Sequence, residues 1–520
     1  MAELSSRRKN LVLATLCATM FMAMLDNVVV NTALPRIGQE LHAGVSGLQW
    51  VVEGYSLVFA ALLLTGGTLG DRYGRRRIYL AGLALFTAGS AFAALSGTTG
   101  LLIAARMTQG LGAALLTPGS LSILRHTFED ERERARAIGL WSGISAIGLA
   151  LGPVIGGPMV DAFGWASVFW INVPIGGAAL LLGSRVLPEY FSRTARLDLP
   201  GQLLAAAGLG GLVYALVEGP SRGWTDPVTQ AAALGGVVAL LLFVVVELRT
   251  TDPMMDLRFF ADRVLAGAAL AAFTVSFGMF GVMFFLPLYM QNVLGWAPTG
   301  SGVAALPCTA MIMIASPLSG RLALRYGVRP PLVAGLSLCA VALAGLSLYG
   351  SAARYPQYLW VLPLMGFGMG LSFAPASIAV LRRVKPSAAG MASAALNTVR
   401  ELGGVVGVAV LGAVLTSRLA AGLAHRLESA GTPPQARRDI VASVTGDGAG
   451  GLVRGSGLPP ALHRTMDASF VDALHLAVRC GAAVMAVTAV AVFLLLRSRP
   501  EPLSPVPGPA LERSDAALGA

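Results

Sequence analysis

Apolar runs of about 20 residues recur along the chain, each long enough to cross a bilayer. Short polar stretches separate them. Fourteen spans are predicted, at residues 11–34, 47–69, 78–97, 100–124, 137–160, 165–187, 199–218, 229–248, 264–290, 300–320, 331–349, 358–381, 393–416 and 473–496. Spans 7 and 8 are dominated by Ala and Gly and have the weakest pattern. An even count puts both termini on one side. The segment 418–470, with GTPPQ and GDGAGG, reads as a mobile loop holding a short helix. The last twenty residues, rich in Pro and Ala, read as a disordered tail. The pattern therefore predicts an all-α polytopic membrane protein.

Composition agrees. Hydrophobic residues make up 55% of the 520 and charged residues only 12%, where soluble proteins carry about 25% charged residues. The net charge of +11 invites a nucleic-acid reading. That reading fails, because the basic residues are scattered over many short loops rather than gathered in one domain. Cys17, Cys308, Cys339 and Cys480 all fall inside apolar runs and form no CxxC pair, so no disulfide framework or zinc site is expected. The first apolar run has no small-residue cleavage site and reads as a retained span, not a signal peptide. No GxxxxGK[ST] occurs, so no motif points to ATP as the energy source. No metal or nucleophile constellation supports an enzyme, and no cofactor is expected beyond protons as coupling ion.

Charge then fixes the orientation. With the N-terminus inside, the inner segments hold 26 Arg and Lys, against Arg36, Arg222 and Arg354 in the short outer loops. That bias places both termini in the cytoplasm. The six arginines of 418–470 lie outside, but long segments follow the rule poorly. GTLGDRYGRR at Gly67–Arg76 recurs as GRLALRYGVR at Gly320–Arg329. Both copies join one span to the next on the inner face, so the chain holds two related halves. Asp71 is replaced by Leu324 in the second copy, so whatever Asp71 does is done once. Asp71 is expected to pair with the arginines around it or to cap the start of span 3.

Several charges lie inside spans, where they are costly and face a cavity or one another. Asp26 lies about 12 Å deep in span 1 and Glu53 about 9 Å deep in span 2, at 1.5 Å per residue. Arg106 enters span 4 at a similar depth. Two partly desolvated carboxylates and one arginine at a shared level suit a proton carrier. Asp26 is expected to carry the proton, with Arg106 tuning both carboxylates. The bland alternative is a permanent Asp26–Arg106 pair that holds helices together. Glu53 either assists the proton or contacts a cationic substrate. Arg400 and Glu401 are adjacent in span 13, about 100° apart, and cannot both face one cavity. Gly148, Gly152 and Gly156 leave one bare helix face in span 5, suited to close helix packing. Pro153 and Pro158 add kinks. Asp472, His475 and Arg479 read as an interfacial cluster more than as a proton relay.

These stretches resemble the major facilitator superfamily, and within it the 14-span drug/proton antiporter branch. Residues 67–77 are similar to the superfamily's loop signature between spans 2 and 3. LDNVVVNTALP (Leu25–Pro35), RMTQGLGAA (Arg106–Ala114), GLALGPVIGG (Gly148–Gly157) and WASVFWINVPIG (Trp165–Gly176) resemble the signatures of spans 1, 4, 5 and 6, in the right order. Ala166 departs from the branch, which carries a basic residue there.

The resemblance implies two six-span halves with spans 7 and 8 inserted between them. The boundaries are 1–190 for the first half, 191–255 for the inserted pair, 256–500 for the second half with its long outer loop at about 417–472, and 501–520 for the tail. It implies a conformational latch for the outward-facing state at Gly67, Asp71, Arg72, Gly74 and Arg75. It implies an antiporter helix face at Gly148, Gly152, Pro153, Gly156 and Gly157 that stops proton leak. Asn397, Arg400 and Glu401, with Gly403 and Gly407, are assigned packing and gating. The chain is thus expected to be a proton-coupled antiporter of the plasma membrane. It would export amphipathic small molecules such as drugs or antibiotics by alternating access, as a monomer in the lipid bilayer. The alternatives are a proton-coupled importer on the same fold and a non-transporting membrane sensor. The span 5 signature weighs against the first and the costly Asp26 against the second.

Overall fold

The computed structural model describes residues 5–190, 197–250, 255, 257–350, 355–358, 360–384, 389–445 and 460–496. These residues hold fourteen helices long and apolar enough to cross a membrane. Spans 1 to 6 are Ser6–Glu40, Val45–Tyr73, Arg75–Ala94, Thr99–Thr127, Glu131–Phe163 and Ser167–Val186. Spans 7 and 8 are Leu199–Arg222 and Pro227–Arg249. Spans 9 to 14 are Arg263–Val293, Pro298–Tyr326, Arg329–Leu346, Val361–Arg383, Ala392–Ser429 and Leu462–Leu495.

Short side chains set the helix starts. Asp130, Asp198, Asp226 and Asp262 each accept a hydrogen bond from a backbone N–H in the first turn of spans 5, 7, 8 and 9, which satisfies donors the helix itself cannot use. Two of the turns that need glycine are related. Gly74 and Gly327, the glycines of the repeated RYG, have φ of +109° and +84°, a region that disfavours a Cβ. The repeat is therefore a repeat of turn geometry.

The two halves share a plan. Span 1 packs on span 5, span 2 on span 4 and span 3 on span 4; span 9 packs on span 13, span 10 on span 12 and span 11 on span 12. Each pairing in the first half has its counterpart in the second. Spans 7 and 8 form a hairpin. Span 7 lies against spans 2 and 13, joined by an apolar cluster of Leu57, Ala60, Val213, Val217, Val405 and Ala409.

The face carrying residues 67–77 is called the basic face. The halves touch at the opposite face. There Gln291 Nε2 donates to the Thr32 carbonyl at 3.0 Å, Thr299 N to Asp161 Oδ2 at 2.9 Å, and Gln49 Nε2 to the Val408 carbonyl at 3.3 Å. Toward the basic face span 5 stands free, with only Ala137 and Gly148 buried between Glu131 and Ala150. The conformation is closed at the opposite face and open toward the basic face.

The expectation for the outer segment between spans 13 and 14 needs correction. Span 13 does not end near residue 416 but runs as helix to Ser429, span 14 begins early, and Pro434–Thr445 forms a helix between them. The described part of 418–470 is thus mostly helical, because Leu419, Leu423 and Leu427 keep a buried face going beyond the span. Span 6 is interrupted at Ile171, and span 9 ends in a π-helical turn at Tyr289–Val293. The tail 501–520, with Arg354, lies outside the described residues.

Candidate functional site

Span 1 places Asp26 inside the first half, 0% exposed. Its carboxylate meets three donors. Arg106 Nη1 donates to Oδ2 at 2.6 Å, Asn172 Nδ2 to Oδ1 at 2.6 Å, and Gln109 Nε2 to Oδ1 at 3.1 Å. Arg106, also 0% exposed, donates through Nε to the Val51 carbonyl at 3.1 Å and through Nη1 to Gln109 Oε1 at 2.9 Å. Its guanidinium lies over the Tyr55 ring, 4.5 Å from the centroid, and nears Phe169 at 5.8 Å. Ser90 Oγ accepts from Gln109 at 2.7 Å and gives its own proton to the Phe86 carbonyl at 2.9 Å. Every neighbour therefore offers Asp26 a hydrogen. The three donors suit a carboxylate, which only accepts.

The structure joins Asp26 and Arg106 but leaves Glu53 apart. Glu53 is 0% exposed, and both its oxygens are sealed without a hydrogen bond. It lies one turn from both Gln49 and Leu57, on the side of span 2 that meets span 13. The expectation that Arg106 tunes both carboxylates is thus overturned. Shared depth is not shared azimuth. Val51 and Tyr55, which meet Arg106, are one turn apart, and Glu53 lies halfway between them on the far side of the helix.

A cavity of about 320 Å³ opens between spans 5 and 10 at mid-membrane. Val28, Pro153, Met279, Phe280, Met283 and Met313 line it, and Thr309 and Ser316 supply its hydroxyls. Methionine suits an adaptable apolar wall.

The glycine face of span 5 packs as expected, and its partner is span 1. A Cβ on Gly148 would lie 2.6 Å from the Phe21 carbonyl oxygen, on Gly152 3.0 Å from Val28 Cβ, and on Gly156 2.6 Å from Val29 Cγ2. Gly157 and Pro153 look the other way, across the halves. A Cβ on Gly157 would lie 2.6 Å from the Pro298 carbonyl oxygen, and Gly302 of span 10 backs onto the Pro153 carbonyl.

At the basic face, Asp71 pairs with Arg75. The start of span 3 is capped by Glu189 instead, whose Oε1 accepts from Arg76 N at 3.0 Å. Arg75 N also donates to the Tyr190 carbonyl at 2.8 Å. Gly67 faces Pro118, with a Cβ 3.5 Å from its ring, and Arg72 lies over the Tyr73 ring at 5.4 Å. Gly74 carries the turn. In the second copy Leu324 is 57% exposed, so the Asp71–Arg75 pair has no counterpart.

Asn397 and Arg400 come together. Arg400 Nη1 donates to Asn397 Oδ1 at 3.3 Å, and Nη2 donates to the Phe373 carbonyl at 2.9 Å and Ser377 Oγ at 3.0 Å. Glu401 is the next residue, about 100° further round the helix. His475 and Arg479 bond to the Tyr349 carbonyl at 2.9 Å and to Ser347 Oγ at 3.2 Å, and Asp472 pairs with Arg426. These contacts tie span 14 to its neighbours and form no relay.

Sequence reasoning missed Gln109, Asn172, Ser90 and Glu218. Gln109 follows Arg106 by three residues on one face, a readable signal. Asn172 sat inside a quoted motif, but nothing linked it to Asp26. Glu218 of span 7 accepts from Trp50 Nε1 at 2.8 Å, Ser46 Oγ at 3.2 Å and Arg222 Nε at 3.2 Å, fastening the inserted pair to span 2.

Comparison with known proteins agrees. The chain is 39% identical over 487 residues to the multidrug resistance protein Stp of Mycobacterium tuberculosis (strain CDC 1551 / Oshkosh), covering 91% of this chain and 90% of that protein. It is 38% identical to the methylenomycin A resistance protein of Bacillus subtilis (strain 168), covering 78% and 87%. Among solved structures, a bacterial homolog of the human lysosomal transporter Spinster, inward-facing and unoccupied, matches with a TM-score of 0.63 at 16% identity, covering 95% of this chain and all of that one. That match supports the fold alone. A family model spans residues 16–408, and with the paired halves and the inserted hairpin it establishes that the chain belongs to the Major Facilitator Superfamily.

Proposed function

We propose that this protein is a proton-coupled antiporter that exports amphipathic small molecules, drugs or antibiotics among them, by alternating access. The basic face lies in the cytoplasm and the opposite face outside, in the plasma membrane, and the protein works as a monomer without a cofactor and performs no covalent chemistry. One observation carries the reading: span 1 holds a sealed carboxylate on one side and lines the apolar cavity on the other. Asp26 and Val28 are two residues apart, about 200° around the helix. A change at Asp26 therefore reaches the cavity through a single rigid element.

The chemistry follows from the hydrogen-bond count. In this conformation Asp26 accepts three hydrogens. A proton on Asp26 removes its charge from Arg106 and weakens the charge-assisted bonds it accepts. The match is lost, and spans 1, 4 and 6 are no longer held to one point. Span 1 also carries the glycine face of span 5, so its shift moves the cavity wall. The loop 67–77 serves as the latch of the outward-facing state, the span 5 face as the seal against proton leak, and the Asn397, Arg400 and Glu401 region as part of the gate. The methionine-rich wall takes apolar bodies of varied shape, and Thr309 and Ser316 offer the few polar contacts. One relative is named for multidrug resistance, which accords with that breadth, and another for resistance to the single antibiotic methylenomycin A.

The test uses everted membrane vesicles. Substrate should accumulate when the vesicle interior is acidic and stop when the gradient is dissipated. Uptake into intact cells that rises with expression under an inward proton gradient would reverse the direction and favour the importer.

A further inference from the structure

Glu53 is a buried carboxylate for which the mechanism above has no use. It lies in the seam where span 2 of one half meets span 13 of the other. One turn before it, Gln49 bonds across to the Val408 carbonyl; one turn after it, Leu57 packs with Val405 and Ala409. Both oxygens of Glu53 are sealed and bonded to nothing.

The charged groups on the neighbouring elements are committed elsewhere. In the helix Pro434–Thr445, Arg437 pairs with Glu428 at 3.0 Å, Arg438 donates to the Pro434 carbonyl at 3.4 Å and Asp439 accepts from Gln435 at 3.4 Å. On span 3, Arg75, Arg76 and Arg77 lie at the basic face and serve Asp71, the Ser184 carbonyl and Glu189. Arg106 of span 4 serves Asp26, Gln109 and Val51. Asp26 of span 1 is held by its three donors. Glu218 of span 7 is held by Ser46, Trp50 and Arg222. Arg400 of span 13 serves Asn397, Phe373 and Ser377, and Glu401 on the same span is itself acidic. Among the described residues no cation reaches Glu53. An ionised carboxylate sealed at this depth without a partner is prohibitively costly, whereas a neutral acid is tolerable.

We propose that Glu53 is a second proton-binding site, separate from the Asp26 cluster, that loads from the outer side when the span 2–span 13 seam parts and lets the seam close only as the neutral acid. This rests on the orientation and alternating access proposed above, but not on Asp26 carrying the driving proton. External acid then favours the outer-closed state. External base leaves Glu53 charged and holds the outer seam open. The two carboxylates are thereby matched to opposite forms in one conformation: Asp26 to the anion, Glu53 to the acid.

The test measures the outer seam directly in the full-length protein in lipid nanodiscs. Spin labels at Arg36→Cys and Arg418→Cys, both exposed, report the distance between halves in a Cys480→Ala background. As the pH is raised the wild-type distance should lengthen as Glu53 loses its proton. Glu53→Gln, a permanent neutral mimic, should stay short throughout. Glu53→Asp should keep the pH response, and Asp26→Asn should keep it too. A Glu53→Gln protein that opens with pH as the wild type does would overturn the proposal. So would Glu53→Asp and Glu53→Gln locked alike, which would mean packing rather than protonation. A distance that responds to sodium against choline at fixed pH would make the ligand a metal cation instead. Failure of gradient-driven transport in vesicles would sink the antiporter reading while leaving this measurement interpretable.

Discussion

Gly157→Ala should jam the closure of the opposite face. The added carbon would lie 2.6 Å from the Pro298 carbonyl oxygen and 2.7 Å from Thr299 Cα. Ordinary contacts between carbons run about 3.5–4.0 Å, so spans 5 and 10 must separate by about 1 Å. Both obstacles are backbone, so no side-chain rotation relieves them. The shift also strains the bond from Thr299 N to Asp161, one turn further along span 5. Overpacking of this kind costs about 1–3 kcal/mol. The cost falls on the closed state alone, because the two segments part when that face opens. An equilibrium biased by that amount moves about 5- to 150-fold toward the open form. The assay is labelling of Ser301→Cys with a membrane-impermeant thiol reagent in intact cells, in a Cys480→Ala background. Ser301 is 5% exposed in the closed form, so labelling should speed up in Gly157→Ala while efflux at matched expression falls. Gly177→Ala is the control, since a Cβ there meets nothing within 4 Å. If Ser301→Cys stays as protected as before and transport is unchanged, the reasoning from this contact is wrong.

Asp26→Asn should abolish gradient-driven efflux in vesicles while the protein still folds and inserts; wild-type pumping at every pH would refute its role. Arg106→Ala, which strips a buried carboxylate of its partner, should cost about 3–5 kcal/mol in detergent unfolding, and Arg106→Lys should cost less without regaining the stacked planar contact on Tyr55. Gly148→Ala should lower the melting temperature more than Gly152→Ala, because the first would lie 2.6 Å from the Phe21 carbonyl oxygen and the second no nearer than 3.0 Å to Val28 Cβ and 3.3 Å to Val29 N. Single cysteines at Arg77, Arg132 and Arg438 should label from outside intact cells only at the last, and labelling at Arg77 would invert the proposed orientation.

Depth was legible in the sequence; rotation about the helix axis was not. Hydrocarbon forces apolar composition on every spanning residue that meets lipid, so the fourteen spans could be counted from composition alone. Depth follows from counting residues at 1.5 Å each, and it put Asp26 and Arg106 at one level. Which way Glu53 points depends on what packs on each side of span 2. That information lies in spans 4 and 13, far away in the chain. Asn172 was hidden for a related reason: it reaches Asp26 across 146 residues of sequence, and only the packing of span 6 brings it there. Asp71 took the first of its two expected roles, pairing with Arg75, and Glu189 took the second, because Glu189 and Tyr190 lie against the start of span 3, and nothing in the 67–77 stretch encodes that contact. The continued helix beyond span 13 was masked by its arginines, which read as loop although its leucines keep helical spacing.

The inserted hairpin makes the two seams of the molecule unequal. Span 7 covers the seam of spans 2 and 13, fixed at one end by Glu218 and at the other by Gln202, which donates to the Ala61 carbonyl at 2.7 Å. Span 8 lies outside it, with a mean hydropathy of 2.5 and only 22% of its most apolar window buried. The seam of spans 5 and 10 has no such cover among the described residues, and Ile314 stands exposed along it. Rocking the halves therefore changes the lipid-facing perimeter on one flank and barely on the other. Lateral pressure in the bilayer should therefore bear on spans 5 and 10 more than on the flank that spans 7 and 8 cover. Membrane thickness and stiffness should set the speed of the cycle through the uncovered flank.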